Sequence, residues 1–350
     1  MSFVRWFVLF LLLAGIASAG FLYYIVFGNN VAALPANTPP HDLHIPTGAT
    51  YQQVLDSLET NGILRNTTYF GWVAKMMKYG NKIYPGRYII EPGTSNRALI
   101  TKLRIGNQDP VNYTINNIRT KEQLIASTAQ KLEVNANELN TLLNDTAFLR
   151  AKGLTPDNVI AVFMNDTYQF NWNTDARTFF NRMYKEYDKF WTDERKQLAA
   201  AQNLNNFQAI ALAAIVEEET AKTDEMDEIA RLYLNRLKTN MPLQADPTVK
   251  YAVGDFTLKR ILHEHLAVQS PYNTYLNTGL PPGPIRIPAK TSIEAVLHPA
   301  DHNYVYMCAR EDFSGYHNFA ETYEQHLINA HKYQDELDRQ EQLRKQKEGN

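Results

Sequence analysis

The chain has 350 residues, 44% hydrophobic and 21% charged, with 35 Lys+Arg against 37 Asp+Glu and a formal net charge of −2. That length predicts two or three domains, and the near-neutral charge argues against nucleic acid as a bulk electrostatic partner. Cys308 is the single cysteine, so no intrachain disulfide and no Cys-based metal site can be built.

The uncharged run Trp6–Phe27 is long enough to span a hydrocarbon core of about 30 Å. Arg5 precedes it and no Lys or Arg follows until Arg65. The positive-inside rule therefore predicts a cytoplasmic N-terminus with the rest of the chain outside. The rival reading is a cleaved signal peptide with Ala17-Ser18-Ala19 at the cleavage site. The apolar run continues past that site through Phe21, Leu22, Ile25, Val26 and Phe27, which favours an uncleaved anchor over residues 1–28. Asn29–His41 is Pro/Ala/Asn-rich and uncharged, so residues 29–43 read as a linker.

Residues 44–108 read as a small α+β module. His44-Ile45-Pro46-Thr47-Gly48 gives an extended piece and a turn. Tyr51, Val54, Leu55 and Leu58 have helical spacing, closed by Gly62. Tyr84–Ile90 alternates as a strand, and Asn96–Leu103 reads as a second helix closed by Gly106. A carbohydrate-binding fold and a plain spacer domain are both compatible with that order. Residues 109–203 are mostly helical in pattern, from the spacing of Leu124, Ile125, Ala129, Leu132, Leu139, Leu142 and Leu143. An Asx-type turn at Asn165-Asp166 interrupts them. The aromatic run Phe179–Trp191 reads as core.

The densest chemistry lies in residues 204–335. Eight apolar residues, Ala209–Val216, precede Glu217-Glu218-Glu219-Thr220. A run with no polar face reads as a helix buried on all sides. A carboxylate at its end is disfavoured by desolvation, by the negative carbonyl end of the helix and by like-charged neighbours. All three effects raise a pKa, the condition for a general acid. Glu219 is the candidate, because helical spacing sets it over Val216, Ile215 and Leu212. Glu217 lies about 200° around the same helix. The competing reading is an acidic cluster at a solvated helix end.

A second helix follows, with Thr223 or Asp224 as N-cap and Met226, Ile229, Ala230, Tyr233 and Leu237 as its buried stripe. Arg236 near its end suits a positive partner for substrate, a partner for a nearby carboxylate, or the surface. The stretches Leu243–Tyr251, Ser270–Tyr275 and Gly279–Ile285 are rich in Pro and Gly, which stiffens loops. Their Tyr, Asn, Gln and Asp side chains suit sugar recognition, by amides and hydroxyls on sugar hydroxyls and by tyrosine faces on ring faces. His317 follows a strand-like run, Tyr304–Cys308. It reads as a substrate or orienting contact, or as a satisfied core histidine. Residues 336–350 are charged or polar and read as a fraying helix or tail. His263-Glu264-His265 lacks zinc-peptidase spacing, and there is no phosphate loop or Gly-x-Ser-x-Gly elbow.

The string Glu217-x-Glu219-Thr220, Asn235-Arg236-Leu237, Leu243-Gln244-x-Asp246-Pro247-Thr248-Val249, Ser270–Tyr275, Gly279–Ile285 and Gly315-x-His317-x-Phe319 closely resembles the endolytic murein transglycosylase (YceG-like) family over about residues 205–330. The resemblance implies an α+β protein with one N-terminal transmembrane helix in the bacterial inner membrane, a LysM-like module at 44–108, a helical intermediate region at 109–203 and a mostly helical catalytic core at 204–335. It implies cleavage of the MurNAc-β-1,4-GlcNAc bond of nascent peptidoglycan to 1,6-anhydro ends, by Glu219 as acid then base, with no metal or cofactor. The crowding of three glutamates leaves Glu217 as the fallback for that role, and Glu217, Gln244, Asp246, Tyr272, Asn273, Tyr275 and His317 are the candidates for substrate binding. Glycan strands, the inner membrane, and peptidoglycan synthases with other cell-wall proteins are the partners such a chain would meet. The family often has Pro-Asp-Thr-Tyr where this chain has Asn165-Asp166-Thr167-Tyr168, and a Glu-Gly pair where it has Asn116-Asn117, so no role is carried over there. Two rival functions stand beside this one: a lysozyme-type hydrolase with Asp246 as second carboxylate, and a non-catalytic glycan-binding scaffold.

Overall fold

The structure is a computed structural model that describes residues 2–35 and 37–348. Met1, Ala36, Gly349 and Asn350, which fall in the expected anchor, linker and tail, lie outside the described residues. The fold is α+β and mostly helical, with one apolar N-terminal helix. The chain divides into two compact units. The first comprises Met1–Tyr113, Thr128–Asn135 and Tyr168–Asp175; the second comprises Thr114–Ser127, Ala136–Thr167 and Ala176–Asn350.

In the first unit, helix α1 (Ser2–Phe27) leads into β1 (His41–Ile45), α2 (Tyr51–Thr60), α3 (Thr67–Met76), β2 (Gly86–Ile90) and α4 (Asn96–Ile105). Strands β1 and β2 are antiparallel, with His41 opposite Ile90 and Ile45 opposite Gly86. The period-2 alternation buries Leu43, Ile45, Tyr88 and Ile90 on one face. Val54, Leu58, Phe70, Val73, Leu99, Ile100 and Leu103 from the helices join them in one core. Capping fixes each helix start: Thr50 and Gln53 form a capping box, Asn66 accepts from the Tyr69 N–H, and Ser95 accepts from the Ala98 N–H. Helix α3 is an element the sequence pattern did not suggest. Its buried stripe of Phe70, Val73 and Ala74 is short, and Gly71 interrupts it.

The start of the expected linker is held against this core rather than free. Asn30 is buried, and its amide donates to Asn66 O (2.8 Å) and Asn96 Oδ1 (2.7 Å). Its own Oδ1 accepts from the Asn66 N–H at 3.0 Å. Val31 N–H donates to Thr94 O (3.0 Å) and Ala32 N–H to Ile63 O (2.8 Å). Asn96, also buried, returns its amide to Ile25 O at 2.8 Å, so the end of α1 is tied to α4.

The chain continues through β3 (Val111–Ile115), α5 (Lys121–Lys131), α6 (Ala136–Asn144), α7 (Thr146–Arg150), β4 (Asp166–Phe170), α8 (Ala176–Phe190) and α9 (Asp193–Ala201). Strand β4 pairs with β3, so the interruption at Asn165-Asp166 opens a strand inside a region expected to be helical. Asp166 Oδ1 accepts from the Thr167 N–H at 2.7 Å at that opening. Helix α8 carries the aromatic run, with Phe179 stacked on Phe163 at 5.8 Å. Then come α10 (Asn206–Glu219), α11 (Met226–Lys238), α12 (Asp246–Val253), α13 (His263–Leu266), α14 (Lys290–Leu297), the antiparallel hairpin of β5 (Tyr306–Ala309) and β6 (His317–Ala320), and α15 (Tyr323–Glu348). Of the two readings for the charged end, a fraying helix or a tail, the chain is helical through Glu348.

Helix α10 is the axis of the second unit. An Asn205–Gln208 capping box starts it, and Ala209–Val216 are all buried. It packs against α9, α11, α12 and α14, which accounts for its having no polar face.

Asn96→Ala removes an acceptor from Asn30 and a donor from Ile25 O, both inside the first unit. It should destabilise that unit by about 1–3 kcal/mol, read as a lowered denaturant midpoint for the full chain in detergent.

Candidate active site

Helix α10 ends on three successive glutamates that diverge by about 100° each into different surroundings. Glu217 turns toward α14. It accepts from the Ala289 N–H at 2.5 Å and from Ser292 Oγ at 2.7 Å, and it pairs with Arg286 at 3.0 Å. Glu218 accepts from Arg286 at 2.6 Å and from Arg119 at 2.8 Å. Two of the three carboxylates are thus saturated by cations and hydrogen-bond donors.

Glu219 is different. It is partly buried, and its hydrogen-bond partner is Tyr233 on α11, whose Oη donates to Glu219 Oε1 at 2.6 Å. Burial pushes the carboxyl up to about 7 from an ordinary 4.5. The Tyr233 hydrogen bond opposes this, the Asp246 carboxylate adds to it, Arg236 opposes it and Glu218 adds to it. The same burial, with Glu219 beside it, holds the Tyr233 phenol far above its usual range. At neutral pH Glu219 is therefore poised between acid and base. Desolvation and like charge act in the direction expected from the sequence. The hydroxyl of Tyr233 is a partner the sequence did not reveal.

Asp246 opens α12 and is exposed. Its Oδ1 accepts from Tyr275 Oη at 2.6 Å. Burial, the bond to Asp246 and the charges of Asp246 and Glu219 all raise the Tyr275 phenol. Glu219, Asp246, Tyr233 and Tyr275 thus form one electrostatic cluster. Arg236 is neither on the surface nor paired with a carboxylate. It is buried, and donates to Val305 O and Leu243 O, both at 2.6 Å, fixing the loop that leads to Asp246.

The remaining candidates separate. Gln244 is exposed, with φ +48, a left-handed conformation uncommon outside glycine; its N–H donates to Thr274 O at 3.1 Å. Tyr272 lies 4.7 Å from the Tyr251 ring, where both line a groove with Phe256 and Asp157. Asn273 is fully buried and works on its own loop rather than facing a ligand. Its amide donates to Leu266 O and Val268 O, both at 2.9 Å, and its Oδ1 accepts from the Tyr275 N–H at 3.0 Å. It holds the loop that presents Tyr272 and Tyr275. His317 starts β6, and its Nδ1 donates to the buried Glu225 at 2.9 Å. Glu225 also accepts from the His317 N–H (2.6 Å) and from Thr220 Oγ1 (3.2 Å), the residue after Glu219. Neither Thr223 nor Asp224 caps α11; the helix follows a 3₁₀ turn over Thr223–Glu225, and Asp224 accepts from Tyr316 Oη at 2.9 Å.

The stiff loop is built around Gly283. A Cβ there would lie 2.0 Å from Asp157 O, so only glycine permits this approach. Ile285 and Ile287 beyond it are buried, and the Ile287 N–H donates to Ile118 O at 2.8 Å.

The model of the YceG-like family matches residues 43–332. The chain belongs to the YceG-like family. This YceG-like chain is 29% identical over 308 residues to a Bacillus subtilis protein named endolytic murein transglycosylase, covering 83% of this chain and 84% of that one. It is 26% identical over 340 residues to a Streptococcus pneumoniae protein of the same name, covering 88% of this chain and spanning 61% of that longer protein. A crystal structure of a YceG-like protein from Listeria monocytogenes matches with a TM-score of 0.55 and 25% identity, over 83% of this chain and 99% of that one.

A carboxyl whose folded pKa is raised binds more protons in the folded than in the unfolded state between the two values. Its contribution to stability is present below the unfolded value, about 4.5, and is lost as pH rises toward about 7. Glu219→Gln should therefore gain stability relative to the parent across that window, by about 1–3 kcal/mol. Urea unfolding at pH 5 and pH 8 reads the difference.

Proposed function

We propose that this YceG-like chain is a membrane-anchored endolytic transglycosylase of peptidoglycan, with Glu219 as its single acid/base. The observation that carries the proposal is that Glu219, alone of three adjacent carboxylates, bonds a hydroxyl in place of an Arg, and is raised to about 7. The names of the Bacillus and Streptococcus relatives support the substrate class. Helix α1, uncharged from Trp6 to Phe27 and exposed along most of its length, supports an anchor with the N-terminus cytoplasmic and both units outside. The strand, helix and turn order of residues 44–108 supports a LysM-like module.

In this reading the protonated Glu219 carboxyl gives its proton to the glycosidic oxygen between N-acetylmuramic acid and N-acetylglucosamine, and that C–O bond breaks. The oxocarbenium-like centre left on the muramic ring sits near the Asp246 carboxylate, which stabilises positive charge there. The Glu219 carboxylate then takes the proton of the muramic C6 hydroxyl, whose oxygen closes on the anomeric carbon. Glu219 ends protonated, a 1,6-anhydro ring is formed, and no water is consumed. One group with a pKa near neutral suits both halves of this cycle. Tyr233 supports the first half, since its hydrogen bond stabilises the carboxylate that forms as the proton is given up. Gln244, Tyr272 and Tyr275 present the amide and phenol groups for sugar recognition, and His317 is held in place for the same task by Glu225. Asn273 acts only through the loop it holds.

The test is mass spectrometry of products from uncrosslinked glycan strands. The parent should give internal fragments ending in 1,6-anhydro-muramic acid, and Glu219→Gln should lose about a hundredfold to ten-thousandfold in rate, as expected for removal of a catalytic acid/base. Activity should fall on the alkaline side as pH rises past about 7, and Tyr233→Phe should move that limb upward. Fragments heavier by one water would establish hydrolysis, with Asp246 as the second carboxylate. Unimpaired cleavage by Glu219→Gln would refute the assignment.

A further inference from the structure

The first unit carries an exposed surface on α3 and α4 that the proposed function leaves unused. On α3, Trp72 is 51% and Met76 59% exposed. On α4, Ile105 is 61% exposed. Exposed cations surround them: Lys75 and Lys78 on and just after α3, and Arg97 and Arg104 on α4. Large exposed apolar side chains among like-signed charges mark an interaction surface.

The position of α1 says what covers it. The Tyr69 ring of α3 meets Phe21 of α1 edge-on at 5.8 Å, and Tyr69 in turn lies 5.8 Å from Trp72. Arg97 of α4 sits over the Phe27 ring at 5.1 Å, and Asn96 holds Ile25 O. Phe21 lies six residues before Phe27, about 9 Å back along the helix axis. Helix α3 therefore reaches past the end of α1 toward the segment that enters the bilayer. The aromatic residues of α1 locate the bilayer edges. Trp6 at one end and Tyr23 and Tyr24 at the other are exposed and lie roughly 26 Å apart along the helix, close to one hydrocarbon thickness. Phe21 is then at or inside the outer hydrocarbon edge, and so is the ring of Tyr69 packed on it. Because the start of the linker is hydrogen-bonded to the core, no slack lifts the unit away.

The geometry points to the α3–α4 face as a lipid-interface surface: Tyr69, Trp72 and Met76 enter the headgroup boundary, and Lys75, Lys78 and Arg104 meet anionic phospholipid headgroups. This rests on the anchoring reading above. Tryptophan and tyrosine favour that boundary because one end of each ring system is apolar and the other polar. Lysine and arginine stems lie along apolar surface while their charged ends reach phosphate. The first unit is then a collar seated on the membrane rather than a module on a tether.

The test uses the full chain in lipid nanodiscs, with tryptophan fluorescence quenched by phospholipids brominated near the headgroup end of the acyl chain. Trp6→Phe removes the tryptophan of the span. In that protein, a part of the emission should still be quenched, more so when phosphatidylglycerol is present, and that quenching should vanish in Trp6→Phe/Trp72→Phe. No quenching in Trp6→Phe, or quenching that survives loss of Trp72, overturns the surface. The Trp72→Phe protein tests the anchor separately, through quenching of Trp6. A quenched Trp6 with a silent Trp72 removes the lipid surface and leaves the anchor standing; an unquenched Trp6 removes the anchor itself.

Discussion

The fork made by Arg286 and Arg119 is the constraint on which the second unit depends. Three carboxylates in succession at the carbonyl end of a buried helix are unfavourable, through mutual repulsion and through the helix dipole. Arg286 contacts both Glu217 and Glu218, and Arg119 closes on Glu218 from another segment. Each arginine comes from a distant part of the sequence, so the fold has to be complete before the charges are balanced. Breaking such a partly buried pair is costly because it leaves a charge without its partner. Glu217, with Ala289 and Ser292, also pins the start of α14 to α10. Balancing two carboxylates leaves the third in a setting with a hydroxyl partner, a neighbouring carboxylate and limited water. Stability and chemistry thus draw on the same turn of helix.

That division was only half visible in the sequence. The burial of Ala209–Val216 and the crowding at Glu217-Glu218-Glu219 follow from local pattern, and so does a raised Glu219. What separates the three glutamates is tertiary: Arg119 and Arg286 come from loops whose positions no periodicity gives. Tyr233 illustrates the limit. Its place in the buried stripe of α11 was legible from helical spacing, but the direction of its hydroxyl was not. Asn273 shows the reverse. An amide in a tyrosine-rich loop suggests sugar recognition, and only its backbone partners show it to be occupied with its own loop. Glu225 has no signal in the local pattern, yet it is buried and joins Thr220 to His317.

In the first unit, β1, β2 and the helices α1, α2 and α4 were legible because apolar runs, alternation and capping residues are local signals. Helix α3 was not, since Gly71 and a short apolar stripe weaken its pattern. The start of the linker departs from its expectation for a related reason. Pro, Ala and Asn composition suggests flexibility, whereas Asn30 and Asn96 form a buried amide pair that depends on the folded unit around them. Composition describes what a segment does alone, and these segments are not alone.

The central claim is that the buried Glu219 carboxyl, raised to about 7, keeps its proton close to neutral pH. The most direct measurement is a pH titration of side-chain carboxyl carbons by NMR on protein labelled at glutamate, with Glu219→Gln used to assign the resonance. The account predicts one carboxyl, missing in that variant, that titrates with a midpoint near 7. A Glu219 resonance already fully ionised at pH 6 would contradict it.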